Sequence, residues 1–216
     1  MIGIVGAGQM GRALARAVAA NVEPVLLAGG RRIQPPDPFP RHCEPARLVD
    51  VWRQARIVML ALPFPVALEL MSGGAGWVGR GRTLIDVTNP GFTPDAARAT
   101  RRSGGEMIAR KSRTWAVAKA FNTVPAEHLE AVQIDGRPVS VPVAGAQPAK
   151  AEAFALARQL GFDPVDAGGI AASREVESLA MLLARISTTN GLHGRIGVHI
   201  GQPEPSALTS AASWRR

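Results

Sequence analysis

The chain has 216 residues, a formal net charge of +8 and a single cysteine, Cys43. That length holds one large domain or a domain with a small appendage, and 46% hydrophobic residues supply a full core, so disorder is not the default expectation. An internal disulfide is excluded, and no apolar run approaches the ~20 residues that span a bilayer.

Arginine greatly outnumbers lysine. So basic a chain raises a nucleic-acid partner, but the cations are scattered with no aromatic ladder between them. A polyanionic small molecule suits the same field; no nucleic acid and no membrane partner is expected. No basic segment precedes the first apolar residues, so no signal peptide is expected, and a cytoplasmic location fits. The absence of tyrosine excludes reductases that use a Tyr–Lys pair as proton donor.

Met1 to Val5 reads as a strand, Gly6-Ala7-Gly8-Gln9-Met10-Gly11 as a tight turn, and Met10 to Ala20 as a helix. This is the dinucleotide-binding fingerprint in its required setting. Gly6 permits the turn, Gly8 admits a pyrophosphate close to the backbone, and Gly11 lets helix and strand pack closely. The helix N-terminus offers N–H groups and a partial positive charge to phosphates. Without a terminal Gly-Lys-Ser/Thr the stretch is not a P-loop.

Pro24 to Leu27 predicts the second strand, ending in Ala28-Gly29-Gly30-Arg31-Arg32. An NAD-binding fold carries an acid here, about 20 residues beyond the glycines, for the ribose 2′-hydroxyl. Two arginines stand there instead. A guanidinium pairs with a 2′-phosphate that a carboxylate would repel, so the cofactor expected is NADP(H). Residues 33–45 are proline-rich and read as a loop. His42, Cys43 and Glu44 lack the further partners a metal would need, and no metal site is expected.

Leu48 to Gln54 predicts a short helix, and the apolar run Ile57 to Leu62 a buried parallel strand. A helix starts near Pro65, Ser72 to Gly76 is a turn, and Thr83 to Val87 is the next strand. In open α/β sheets ligands lie at the carboxyl ends of strands, which places Leu62-Pro63 and Asn89-Pro90 beside the nicotinamide half of the cofactor. A helix is expected over Pro94 to Arg102 and a strand over Trp115 to Ala120, leading into Phe121-Asn122-Thr123-Val124-Pro125. Val139 to Val143 predicts a strand, Ala149 to Leu160 a helix stopped by Gly161, and Pro164 to Asp166 a last strand. Arg174 to Ile186 predicts an amphipathic helix whose apolar residues serve a core or a dimer interface.

Several of these residues occur together in a known family. The glycine turn, Gly30-Arg31-Arg32, Ala61-Leu62-Pro63, Asp86-x-Thr88-Asn89-Pro90, Lys119-Ala120-Phe121-Asn122-Thr123, and Leu160 to Gly168 follow in order. Over residues 1–190 the chain resembles the NADPH-dependent F420 reductase family, also called F420-dependent NADP oxidoreductases. The resemblance implies an α/β fold: a Rossmann-type, doubly wound, mostly parallel sheet with a small C-terminal helical portion, in a homodimer. It divides the chain into an NADP-binding domain (1–168), a helical segment completing the site and the dimer interface (169–202) and a tail (203–216). It implies hydride exchange between NADP(H) and F420 as second substrate. The cofactor contacts expected are Gly6, Gly8, Gln9, Met10, Gly11, Gly30, Arg31, Arg32, Leu62, Pro63, Asn89, Pro90, Ala120 and Asn122. Asn122 and Thr123, with Val124, are expected near the acceptor ring. The segment from Gly191 to Gly197 departs from the family's ending.

Hydride transfer between two redox cofactors needs alignment and a dry site more than acid–base groups, and no catalytic triad or paired carboxylates are evident. Lys119 is the one candidate proton donor, read in preference as a solvated or structural lysine at a strand end. Two alternatives stay open: an NADPH-dependent reductase of a small C=N, C=C or C=O compound, and a non-enzymatic NADP-binding regulator. The cations Arg98, Arg101, Arg102, Arg110, Lys111 and Arg113 precede the Trp115 strand and suggest an electrostatically steered anionic acceptor.

Overall fold

A computed structural model describes residues 1–29, 41–90, 102–130 and 132–201. Strand β1 (Ile2–Val5) leads through the glycine turn into helix α1 (Gln9–Asn21). Then come β2 (Val25–Ala28), β3 (Cys43–Pro45), α2 (Leu48–Gln54), β4 (Ile57–Leu60), α3 (Phe64–Ser72) and β5 (Thr83–Asp86). Helix α4 (Gly104–Lys111) precedes β6 (Ala116–Lys119). A small hairpin, β7 (Gln133–Ile134) with β8 (Arg137–Pro138), stands apart from the main sheet. β9 (Ser140–Gly145), α5 (Ala149–Gln159), β10 (Asp163–Gly168) and α6 (Ser173–Thr189) complete the described elements.

Among the described residues the main sheet has eight strands in the order β10-β9-β6-β5-β4-β1-β2-β3. The stretch from β3 to β6 is the parallel, doubly wound dinucleotide-binding order. β9 joins β6 antiparallel, and β10 pairs parallel to β9. Strands β1, β2, β4 and β5 are buried along their whole length. A parallel strand covered on both faces needs apolar residues at successive positions, as in β2 and β4, while β5 keeps Leu84 and Ile85 between the buried Thr83 and Asp86. One core face packs Leu14 and Val18 of α1 and Leu156 of α5 against the sheet. The other packs Val51 of α2, Met71 of α3 and Ile108 of α4.

Two expectations change, and a third lies outside the described residues. The loop expected over residues 33–45 ends in strand β3, which pairs with β2 from Val25 opposite Cys43 to Leu27 opposite Pro45. Pro45 is tolerated because β3 is the edge strand. The helix expected over Pro94 to Arg102 falls outside the described residues up to 101. The helix that is described, α4, begins at Gly104-Gly105, where a glycine pair reads as a breaker. It is started by a capping box: the Ser103 side chain accepts from Glu106 N–H and the Glu106 carboxylate accepts from Ser103 N–H. Finally, the segment expected to be helical to residue 202 is helical only to Thr189. The chain then returns to the sheet: Ser140 N–H donates to Val198 O at 2.7 Å and Ile200 N–H to Ser140 Oγ at 2.9 Å.

Candidate functional site

The carboxyl ends of β1, β4, β5 and β6 converge, and each delivers a turn. The first is the glycine turn. Gly6 has φ 119°, and a Cβ there would stand 2.1 Å from Ala61 O. A Cβ on Gly11 would stand 1.7 Å from Gly6 O, so the first turn of α1 packs directly on the loop that precedes it. A Cβ on Gly8 would meet nothing within 4 Å. The open glycine caps α1 with no side-chain hydrogen bond, and no acid occupies the first turn. Bare N–H groups at a helix N-terminus, beside a position without a side chain, fit a pyrophosphate.

Leu62 lies against Gly6, its Cδ2 3.2 Å from where a Cβ would be, and Pro63 caps the N-terminus of α3. Gln9 reaches across to Glu127, Nε2 to Oε1 at 2.7 Å, and ties α1 to the turn after β6. Gly30, Arg31 and Arg32, the expected 2′-phosphate contacts, lie outside the described residues.

The turn after β6 is bent by Phe121, which has φ 64° and no exposure. A left-handed conformation is costly for so bulky a residue. It is held because the ring is locked in the core, edge-on to Phe162 with centroids 6.1 Å apart. The next two residues, Asn122 and Thr123, consequently turn onto a cavity of about 320 Å³. Met10, Asn89, Asn122 and Thr123 line one side of it, and Ala180, Leu183, Ala184 and Ser187 of α6 the other. The structure therefore brings Met10, from the first turn of α1, together with Asn89, Asn122 and Thr123 from the turns after β5 and β6. Ala120 is fully buried in the main core, and its N–H is spent on Asp86 O at 3.2 Å. It stands behind the site instead of on the cavity wall. Pro90 is half-buried beyond Asn89.

Asn89 and Asn122 clasp each other. Asn89 Nδ2 donates to Asn122 O, and Asn122 Nδ2 donates to Asn89 Oδ1, both at 3.0 Å. Asn122 Oδ1 and Thr123 Oγ1 are buried with no protein partner. Among the described residues lining the cavity, none is ionisable.

Beneath this site lies a charge cluster that sequence reasoning missed. Lys119 Nζ is within 2.9 Å of Asp86 Oδ2, 2.5 Å of Thr88 O and 3.1 Å of Glu177 Oε1. Lys119 and Asp86 are fully buried. Glu177 also accepts from Gly104 N–H at 3.0 Å and Gly105 N–H at 2.8 Å, which satisfies the N-terminus of α4. The three N–H groups of Lys119 have three acceptors, so this lysine is a structural hub without a proton to spare for the cavity. The glycine pair Gly104-Gly105 was the available signal, since a Cβ on Gly105 would stand 2.3 Å from Ser173 Oγ.

The basic stretch before β6 divides. α4 starts at the carboxyl edge of the sheet and runs to Lys111, from which the chain enters β6 at its amino end. Arg110, Lys111 and Arg113 consequently lie at the edge opposite the cavity, and Arg113 stacks over Trp77 at 5.5 Å. Arg98 and Arg101 lie outside the described residues.

Comparison with known proteins bears on the family and the fold. Residues 1–90 match the family described as NADP oxidoreductase coenzyme F420-dependent, so the resemblance read from the sequence is borne out. A crystal structure from Arthrobacter sp., named as an F420-dependent NADP reductase, superposes with a TM-score of 0.81 at 26% identity, over 93% of this chain and 99% of that one. An imine reductase from Myxococcus stipitatus in complex with NADP+ shares the fold at a TM-score of 0.66 and 17% identity, over 89% of this chain and 63% of that one. The metalloreductase STEAP3 of Rattus norvegicus is 28% identical over 183 residues. Those residues are 84% of this chain, which spans only 36% of that relative's length. Among the described residues no helix is long and apolar enough to cross a membrane.

Proposed function

We propose that this chain, an NADP-type oxidoreductase by its N-terminal family match, moves a hydride between NADP(H) and the deazaflavin F420. The observation that carries the reading is the cavity beside the glycine turn, whose described lining offers no ionisable side chain. Reduction of a carbonyl needs a proton donor near the oxygen. Hydride transfer to a ring carbon of a deazaflavin leaves the charge delocalised over the conjugated ring, which takes its balancing proton from solvent, so the protein has chiefly to align the two rings, which apolar walls such as Met10, Val124 and Leu183 would do.

Bound NADPH supplies the hydride. The uncapped N-terminus of α1 and the open face of Gly8 would hold its pyrophosphate. Arg31 and Arg32 are proposed for the 2′-phosphate on their sequence position. Leu62, Pro63, Asn89 and Pro90 are proposed along the nicotinamide half, with Asn122 and Thr123 facing the acceptor. The cavity also favours a reductase over a regulator, because a regulator has no need of space beside the turn. For the homodimer that the resemblance implies, the outer face of α6 offers Leu182 at 53% and Ile186 at 37% exposure.

One second reading shares the carrying observation. A small C=N substrate that arrives as an iminium already holds its proton, so it too needs no donor from the protein. Oxidation of NADPH with F420 as acceptor, followed at the deazaflavin absorbance, tests the proposal. Turnover is expected. Its absence, with NADPH bound, moves the assignment to the C=N substrate.

A further inference from the structure

The reciprocal clasp of Asn89 and Asn122 fixes what the cavity presents. The backbone carbonyl of Asn122 can only accept, so Asn89 must turn Nδ2 toward it. Asn89 Oδ1 is then left facing the Asn122 side chain, which must answer with its own Nδ2. The usual exchangeability of oxygen and nitrogen in a side-chain amide is thereby removed. Asn122 Oδ1 is an acceptor by necessity, and it is buried without a protein partner. Thr123 Oγ1 is in the same condition, and its hydroxyl can donate as well as accept. The two residues are 6% and 5% exposed and both line the cavity. Buried polar groups without partners are costly and rare in folded proteins. Two in succession, on a turn held by the left-handed Phe121, point to a ligand that completes them.

We propose that Asn122 Oδ1 and Thr123 Oγ1 together read the amide edge of a bound ring, accepting from its N–H and donating to its adjacent C=O. This rests on the hydride-transfer reading of the same cavity. An acceptor beside a hydroxyl matches a group that carries a donor and an acceptor side by side. It rejects a ring that presents only a hydrocarbon edge, because both atoms would then stay unpaired. Two sources present the edge: the carboxamide of the nicotinamide and the lactam edge of a deazaflavin.

The test separates the sources. Binding of NADP+ and of its 3-acetylpyridine analogue, in which a methyl replaces the carboxamide NH2, is measured by titration calorimetry. The proteins are the parent, Thr123→Val and Asn122→Leu. Thermal melting checks each fold, and the near-isosteric Thr123→Val keeps the test open should Asn122→Leu unfold. If the carboxamide is the source, the parent prefers NADP+ by about tenfold. Asn122→Leu then loses the preference, while Thr123→Val weakens both nucleotides alike, since the analogue keeps its carbonyl. If the acceptor is the source, the two nucleotides bind the parent equally. The KM for F420 then rises about tenfold in the variants with NADP+ affinity unchanged. Equal nucleotide binding in every folded protein, with the F420 KM unmoved or no F420 turnover, overturns the proposal. Absence of F420 turnover alone overturns the F420 assignment only, because the nucleotide measurements need no acceptor.

Discussion

Lys119 at the end of β6 meets Glu177 on α6 at 3.1 Å, with Lys119 fully buried and the Glu177 side chain 7% exposed. Asp86 completes a buried cation between two carboxylates, and the N-terminus of α4 offsets the excess negative charge. The same contacts hold the site. Thr88 O, which accepts from Lys119, immediately precedes Asn89, and Glu177 lies one turn before the α6 residues that wall the cavity.

Removing the cation should therefore cost more than removing one anion. Lys119→Met leaves two buried carboxylates without a counter-charge, an expected loss of about 3–5 kcal/mol. Glu177→Gln keeps an acceptor for the α4 N–H groups and should cost about 1–3 kcal/mol. The double variant should cost less than the sum. Urea unfolding of all four proteins measures this, and strict additivity would show that the two residues do not act together.

The glycines should separate binding from folding. Gly8→Val places a branched side chain in open space, so stability should hold while NADPH binding is nearly lost. Gly11→Ala drives a methyl into Gly6 O and should destabilise the fold itself. Thermal melts beside NADPH titrations distinguish the two, and unchanged NADPH affinity in Gly8→Val would remove the pyrophosphate assignment.

Cofactor choice should follow the two arginines after β2. Arg31→Ala or Arg32→Ala should weaken NADPH binding by about 2 kcal/mol while NADH binding changes little. Equal affinity of the parent for NADPH and NADH would contradict the 2′-phosphate role.

Arg110 and Lys111 are sequence neighbours of the site but lie at the far edge of the sheet. Charge reversal at both should leave the second-order rate with F420 nearly unchanged at saturating NADPH. A substantial drop at low ionic strength, where screening is weak, would show that they steer the acceptor after all.

Burial holds the Cys43 thiol protonated, pushing its pKa up to about 11, with the Glu44 carboxylate adding to the shift. Alkylation at pH 8 should be slow in the native protein and fast in urea. Because the folded-state pKa is the higher one, the folded protein retains the thiol proton over the interval in which the unfolded chain loses it. This residue's contribution to stability is thus present below about 9 and lost as pH rises toward 11. Rapid native labelling at pH 8 would contradict the burial.

Local physics made the Rossmann half legible in the sequence. Strand–turn–helix with glycines at Gly6, Gly8 and Gly11 is a short-range pattern, and a strand buried on both faces writes itself as a continuous apolar run, as in Ile57 to Leu60. The strand-end rule placed Asn89 beside the cofactor and the family resemblance placed Asn122 near the acceptor, and the fold brings the two into contact. What the sequence could not determine depends on pairing across long separations. β3 has three residues and no hydrophobic signature, and exists because β2 offers it an edge. α4 begins with two glycines because Glu177, more than 70 residues away, needs their N–H groups at close range. Lys119 reads the same in sequence whether solvated or buried. Only the fold brings Asp86 and Glu177 to it, and a lysine's role is set by which charges surround it in space.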